Sequence, residues 1–338
     1  MPAENASTRR RTAHEVPDVP CPLPFPWSVL GPLASGAGVV ALYVNTLPEE
    51  GPGEGEVAAI KAFLSVVIGT QLLSTIAGFL THGKSDSGIV DRIWSIVPFV
   101  YVWTVYAYHD GSSEARLRLM CFVSTLWGAR LTWNFWRKGG YNLSAEDYRW
   151  AIVRSWYPGI QFELFNLIFV TCYQHLILFA IVSPAIIVER SSASDLGLLD
   201  VAASSLFLVL LLLEHVADAQ MFDFQNEKYR RKGAGESLQD GDFKRGFITS
   251  GVWGYSRHPN YFAEVSMWWA FYLFAVAASG EWVNIALCGP VLIFLLFVPP
   301  GASLALTETL SLQKYPAYAE YQRATSRFFP WFPSSKEA

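Results

Sequence analysis

Residues 256–279 read SRHPNYFAEVSMWWAFYLFAVAAS. Arginine, histidine, asparagine and glutamate crowd into the first nine residues, and the next fifteen are almost wholly apolar. Proline is favoured in the first helical turn, where its missing N–H has no partner to lose, so Pro259 marks a helix start. The apolar run that follows suits a bilayer-spanning helix, which needs about 20 such residues. The stretch predicts a membrane helix with its densest polar cluster at one mouth.

The same pattern recurs along the chain. Of 338 residues, 52% are hydrophobic and 16% charged, against about 25% charged in an ordinary soluble domain. The apolar residues fall in blocks at 29–47, 59–80, 90–108, 117–136, 161–185, 197–217, 260–279 and 283–300. These predict an all-α, polytopic transmembrane bundle of about eight spans. Lys and Arg collect in alternate connections, among them 9–11, 137–154 and 218–258, whereas EEGPGEGE, HDGSSE and SGE are acidic or nearly uncharged. Basic connections stay on the cytoplasmic side, which places both termini in the cytosol. Residues 1–28, polar and Pro-rich, read as a disordered cytosolic tail. Residues 145–156 read as a short interfacial helix and 226–247 as a flexible charged loop or lid, while Pro299, Pro300 and Gly301 end the eighth span. A net charge of −4 with no basic stripe gives nucleic acid nothing to bind. Cys21, Cys121, Cys172 and Cys288 are isolated, so neither a metal set nor a disulfide framework is expected.

Polar residues inside or beside the spans are the candidates for chemistry. Asn260 and Glu264 lie four apart and share one face of the first turn after Pro259. Free N–H groups at such a helix start favour anions, and Arg257 adds a cation beside it. Glu214 and Asp218 form a second i,i+4 pair, with His215 adjacent, directly after the apolar run LLLL. A carboxylate in a span faces a protein interior or a water cavity; the plainer reading is an ion pair with Arg257 or Lys228. Glu308 is a third acid in an apolar turn, ahead of the aromatic runs KYPAYAEYQ and FFPWFP. Asp91 and Trp94 open the third span, and Arg130, charged within the fourth, needs a partner, for which Asp91 is the expectation.

The blocks EHVADAQ (214–220), GVWGYSRHPNYFAEVSMWW (251–269) and LTETLSLQKYPAYAEYQRATSRFFPWFP (306–333) resemble the C-terminal region of the steroid 5α-reductase-like membrane proteins. Over about residues 85–333 the chain is identified as a member of the DUF1295 branch, with its Asp91–Trp94 signature and SRHPNYxxE run. The resemblance implies a cytosol-facing half, 201–338, that binds NADPH, and membrane helices, 29–200, that hold a hydrophobic lipid or steroid-like substrate. The implied reaction delivers a hydride to the β-carbon of an enone and a proton to the α-carbon. By position, Glu214, Asp218, Asn260 and Glu264 match cofactor-contacting residues, with Glu214 standing where the reductases have asparagine. Arg257, His258 and Tyr261 belong to the same run, and Glu308 falls near a tyrosine of the steroid enzymes. Arg257 and the basic residues Arg230, Arg231 and Lys232 suit the cofactor phosphates.

The chain departs from the steroid enzymes where their glutamate and tyrosine polarise the carbonyl. Tyr101, Tyr148 or Asp91 is expected in that role here, and the substrate stays open among steroid, polyprenol and fatty enone. No GxGxxG is present, so a Rossmann site is not the basis of cofactor binding. Two rival readings remain: an S-adenosylmethionine-dependent methyltransferase, since RHPxY followed by glutamate also occurs there, and a non-catalytic lipid-binding protein. Membrane lipids are the expected surroundings, with the endoplasmic reticulum or another endomembrane as the family location.

Overall fold

The computed structural model describes residues 19–83, 85–109, 113–142, 147–193 and 195–334. Residues 1–18 of the expected tail, Lys84, part of the HDGSSE connection and the side chain of Tyr148 lie outside the described residues. Within them the chain is all-helical. Helices α1 (Phe25–Asn45) and α2 (Glu54–His82) form a first pair, α2 ending on Gly83, whose φ of 66° is open to glycine. A short α3 (Gly88–Ile93) leads into α4 (Val97–Tyr108), the two separated where Pro98 must sit in a first turn. Next come α5 (Glu114–Arg137) and α6 (Tyr148–Trp156), the latter being the expected interfacial helix, capped by the Asp147 side chain.

Helix α7 (Ile160–Phe165) continues through a π-helical segment, 166–173, into α8 (Gln174–Ala180), and Pro184 restarts the chain as α9 (Pro184–Glu189). Helix α10 (Leu198–Ala234) has 37 residues, about 55 Å at 1.5 Å per residue, nearly twice the ~30 Å of a hydrocarbon core. Residues 226–234, expected in a loop, are thus a helix that outruns the bilayer, ended by Gly235 with φ 69°. A short α11 (Gly241–Arg245) follows, then α12 (Pro259–Ser279), which starts at Pro259 as expected, α13 (Cys288–Phe297), α14 (Ser303–Lys314) and α15 (Tyr318–Ala324).

Among the described residues, five stretches are long and apolar enough to cross a membrane: 25–45, 54–80, 160–189, 198–234 and 259–279. The other three expected spans are built differently. The third is broken between α3 and α4, the fourth (α5) carries charges through its length, and the eighth has only the 10 residues of α13. Around the bundle Leu30, Leu33, Leu64, Ile68, Leu72 and Phe79 are exposed, the surface that lipid covers.

Lipid tails are as apolar as leucine, so helices in a bilayer associate through close packing and interhelical hydrogen bonds. Both devices are present. Trp127, Phe207, Trp268 and Phe271 interlock edge-on in the core, with Trp127 and Trp268 centroids 4.8 Å apart. A polar seam ties α2 and the start of α3 to the π-helical segment and α8: Ser87 to Asn166 (2.7 Å), Thr171 to Gln71 (2.7 Å) and Thr70 to His175 (3.3 Å). Helices α10 and α12 pack along their lengths, which brings Glu214 and Asp218 to the face carrying Asn260 and Glu264.

Candidate functional site

At the end of the bundle where α12 begins lies a cavity of about 710 Å³. Its polar wall comes from Asp91 on α3, Asn134 and Lys138 at the end of α5, Glu214 and Asp218 on α10, and Asn260, Tyr261 and Glu264 on α12. Arg149 and Trp150 of α6 stand at one side, and the aromatic rings of Trp94, Phe165, Phe169 and Tyr173 at another. Those last three recur every four residues along one helix face and stack, Phe165 on Phe169 at 4.9 Å and Phe169 on Tyr173 at 5.9 Å.

Behind the polar wall, Arg130 holds both acids of α10. Its Nη1 lies 2.7 Å from Glu214 Oε1, and Nη2 donates to Asp218 Oδ2. Asn134 donates to the same Asp218 oxygen at 2.8 Å, and Lys138 Nζ lies 3.3 Å from Oδ1. Arg130, Asn134 and Lys138 are spaced i, i+4, i+8, so one face of α5 meets the i,i+4 acids of α10. The expected Arg130–Asp91 pair is therefore corrected: Asp91 instead accepts from the Trp150 indole at 3.0 Å. The alternative partners for Glu214 are corrected too, since Lys228 donates to Gly246 O and Tyr315, and Arg257 pairs with Glu308.

Glu264 is fixed from two sides, by Trp127 Nε1 at 2.8 Å and Trp268 Nε1 at 2.9 Å. Both indoles bond the carboxylate, and both rings belong to the core, so this acid has little freedom to turn. Two acceptors on the wall differ from all of these. Asn260 Oδ1 and Glu214 Oε2 are buried and have no hydrogen-bond partner among the described residues. A buried acceptor left open costs about 1–3 kcal/mol, and both residues face a cavity large enough for a ligand.

Four expected site residues are not brought to the cavity. Tyr101 is fully buried between Phe63 and Phe179, with its hydroxyl in apolar surroundings, because α4 turns that face to α2 and α8. Arg257, His258 and Glu308 form a separate clamp. Arg257 donates to both Glu308 oxygens (2.6 and 3.2 Å) and to the carbonyls of Gln322 and Thr325. His258 Nε2 lies 3.1 Å from Glu308 Oε1, and Arg327 closes the other side at 3.6 Å. Burial alone would raise the Glu308 carboxyl, but hydrogen bonds from His258 and Arg257 and the guanidinium charge hold it at about 2. Burial and the neighbouring guanidinium groups push the His258 proton off, against the pull of Glu308.

Arg230 and Arg231 pair with Glu227, Glu236 and Asp240 on the outer end of α10, and Arg230, Arg231 and Lys232 do not line the cavity. Its cations are Lys138 and Arg149 instead, two residues the sequence reading did not single out. The run WGARLTWNFWRK carries the signal for Lys138, as a polar residue every fourth position in an otherwise aromatic helix. His215 stacks on Trp133 at 5.8 Å and does not line the cavity. A second cavity, about 590 Å³ around Arg116, lies at the other end of α10, but that guanidinium is engaged by Asp200 and two backbone carbonyls.

A family model described as a protein of unknown function (DUF1295) matches residues 79–325. An uncharacterized protein of Schizosaccharomyces pombe (strain 972) is 37% identical over 276 residues, covering 77% of this chain and 78% of its own. No solved structure matches.

Proposed function

The chain belongs to the DUF1295 family, and from its cavity we propose that it is a membrane-embedded reductase that uses NADPH on a carbon–carbon double bond of a hydrophobic, carbonyl-conjugated lipid. The observation that carries this reading is that two residues lining the cavity, Asn260 and Glu214, each hold a buried acceptor, Oδ1 and Oε2, without a hydrogen-bond partner among the described residues. They call for a ligand rich in N–H and O–H donors at that point, which ribose hydroxyls and a carboxamide provide. Asp218, held still by Arg130, Asn134 and Lys138, is a preorganised third acceptor.

The residues fit the rest of the cofactor as well. Lys138, paired with Asp218, and Arg149, paired with Asp147, keep side chains 40% and 36% exposed at the cavity, and these are the cations there that phosphate oxygens would meet. When bound, NADPH supplies the hydride. The chain's own part is to bind and orient. The ladder Phe165–Phe169–Tyr173 and Trp94 offer a flat apolar surface to the lipid, and Asp91, fixed by Trp150, is the expected carbonyl-contacting residue that lines the cavity. Glu264, clamped by two indoles, sets the depth to which a ligand enters.

Full-length protein in detergent, titrated with NADPH and with S-adenosylmethionine while thermal unfolding is followed, tests the reading. Stabilisation by NADPH, reduced in Asn260→Ala and Glu214→Gln, is the expected result. Stabilisation by S-adenosylmethionine alone would overturn it in favour of methyl transfer.

A further inference from the structure

We infer that residues 328–332 form an interfacial membrane anchor, which seats three aromatic rings in the headgroup zone of the leaflet beside the cavity. This does not depend on the reaction catalysed. Phe329, Trp331 and Phe332 are 65%, 72% and 75% exposed, next to Tyr255 at 46%. Single exposed apolar residues are ordinary on a protein surface, but a contiguous aromatic group of this kind marks an interaction site.

The segment that carries the rings is not a loose tail. Trp331 N–H donates to Tyr255 O at 2.8 Å, Arg257 N–H to Ser326 O at 2.8 Å, and Ser256 Oγ to Phe328 O at 2.8 Å. Phe328 turns inward, between Phe262 of α12 (5.6 Å) and Phe294 of α13 (6.0 Å), while Phe329 rests on Phe262 at 5.9 Å and Phe332 on Tyr255 at 5.9 Å. The outward rings are thus held by backbone and by one buried ring.

Their depth follows from α12. Its 21 residues span about 31 Å at 1.5 Å per residue, which matches the ~30 Å hydrocarbon core. Phe262, in its first turn, lies at the core boundary; Phe329 rests against it, and Phe332 and Trp331 follow against Tyr255 just before that turn. Trp and Tyr rings, here Trp331 and Tyr255, favour that level, and the wholly apolar rings of Phe329 and Phe332 add buried area beside them. Arg323, exposed on α15 close by in the chain, adds a cation suited to lipid phosphate. The occupant is therefore the bilayer interface. A second copy of the chain or a soluble protein would have no reason to select the boundary of the hydrocarbon core.

The test uses the full chain in lipid nanodiscs, and reads Trp331 as the difference in emission between the parent and Trp331→Phe. In discs whose lipids carry bromine at shallow acyl positions the difference signal should be largely lost, and iodide in the water should leave most of it. Loss to iodide with no effect of brominated lipid overturns the anchor, because the ring then faces water. Insensitivity to both also overturns it, because the ring is then covered by protein. Should Trp331→Phe fail to accumulate, Phe332→Trp in the parent background repeats the reading one residue along, as the emission it adds to that of the parent.

Discussion

Two buried acid–arginine clusters stand at the same end of this bundle, and they differ in what they leave open. Around Glu308 both carboxylate oxygens and all three guanidinium nitrogens of Arg257 are engaged by protein partners. Around Glu214 and Asp218 the arginine is ion-paired, yet Glu214 Oε2 and the neighbouring Asn260 Oδ1 have no hydrogen-bond partner among the described residues, and both residues line a cavity. The residue types are nearly the same, so composition cannot separate the two. Saturation does. The filled partner set of Arg257 and Glu308 ties α12 to the tail helices α14 and α15, with only a donor, Arg327 Nε, left open beside it, whereas the other cluster leaves acceptors open on residues that line a cavity.

The sharpest way to break this contrast is to remove an acid from the closed cluster. Glu308→Ala leaves Arg257 buried without its counter-charge, which costs about 3–5 kcal/mol. We expect a large drop in thermal stability in detergent with unchanged NADPH affinity in the fraction that stays folded. A selective loss of NADPH binding with stability intact would return Glu308 to the ligand site. Next in size is Asn260→Ala, which removes an acceptor with no protein partner. Stability should stay within about 0.5 kcal/mol, while NADPH binding weakens about tenfold, the equivalent of ~1.4 kcal/mol. The two variants should therefore exchange phenotypes, one structural and one for binding.

Acid sharpens the same comparison. His258 is lowered from 6.5 by burial and by Arg257 and Arg327, and Glu308 is lowered from 4.5 to about 2. A histidine that prefers to be neutral when folded begins to oppose folding as pH falls through 6.5, and a depressed carboxyl contributes stability above 4.5 that is lost as pH falls toward 2. Tm should decline below about pH 6.5 and more steeply below about 4.5. In His258→Gln the upper part of that decline should become shallower and the lower part remain; a profile identical to the parent would exclude His258 as a source. The smallest effect is expected at Tyr101, whose hydroxyl is buried without a hydrogen-bond partner among the described residues. Tyr101→Phe should change stability by no more than about 0.5 kcal/mol, or raise it, because an unsatisfied polar group is removed. It should also leave ligand binding unchanged; a loss of activity there would place the substrate deeper in the bundle than the cavity described.

Much of the site was legible before any contact was known. Pro259 starts a helix because of its own covalent structure, and Gly235 and Gly280 end helices with φ of 69° and 72° that favour glycine. The i,i+4 spacing put Asn260 with Glu264, and Glu214 with Asp218, and both pairs line one cavity. The span count was less legible, since α5 combines charge with apolar residues and serves as an interior wall, while α13 stops at Pro299 after 10 residues. The outer end of α10 was misjudged because its charges suggested a loop, whereas Arg230 and Arg231 pair with Glu227 one turn back and so favour the helix.

By itself, then, the sequence determines the long apolar helices, the ends marked by Pro259, Gly235 and Gly280, and the end of the bundle at which polar residues gather, because each depends on neighbours within a turn or two. Which acid meets which arginine depends on contacts between residues 51 to 88 positions apart, and no local spacing encodes them. Only the packing of α10 against α5 and α12 decided that Arg130 answers Glu214 and Asp218, and only the docking of α14 and α15 at the start of α12 decided that Arg257 closes on Glu308.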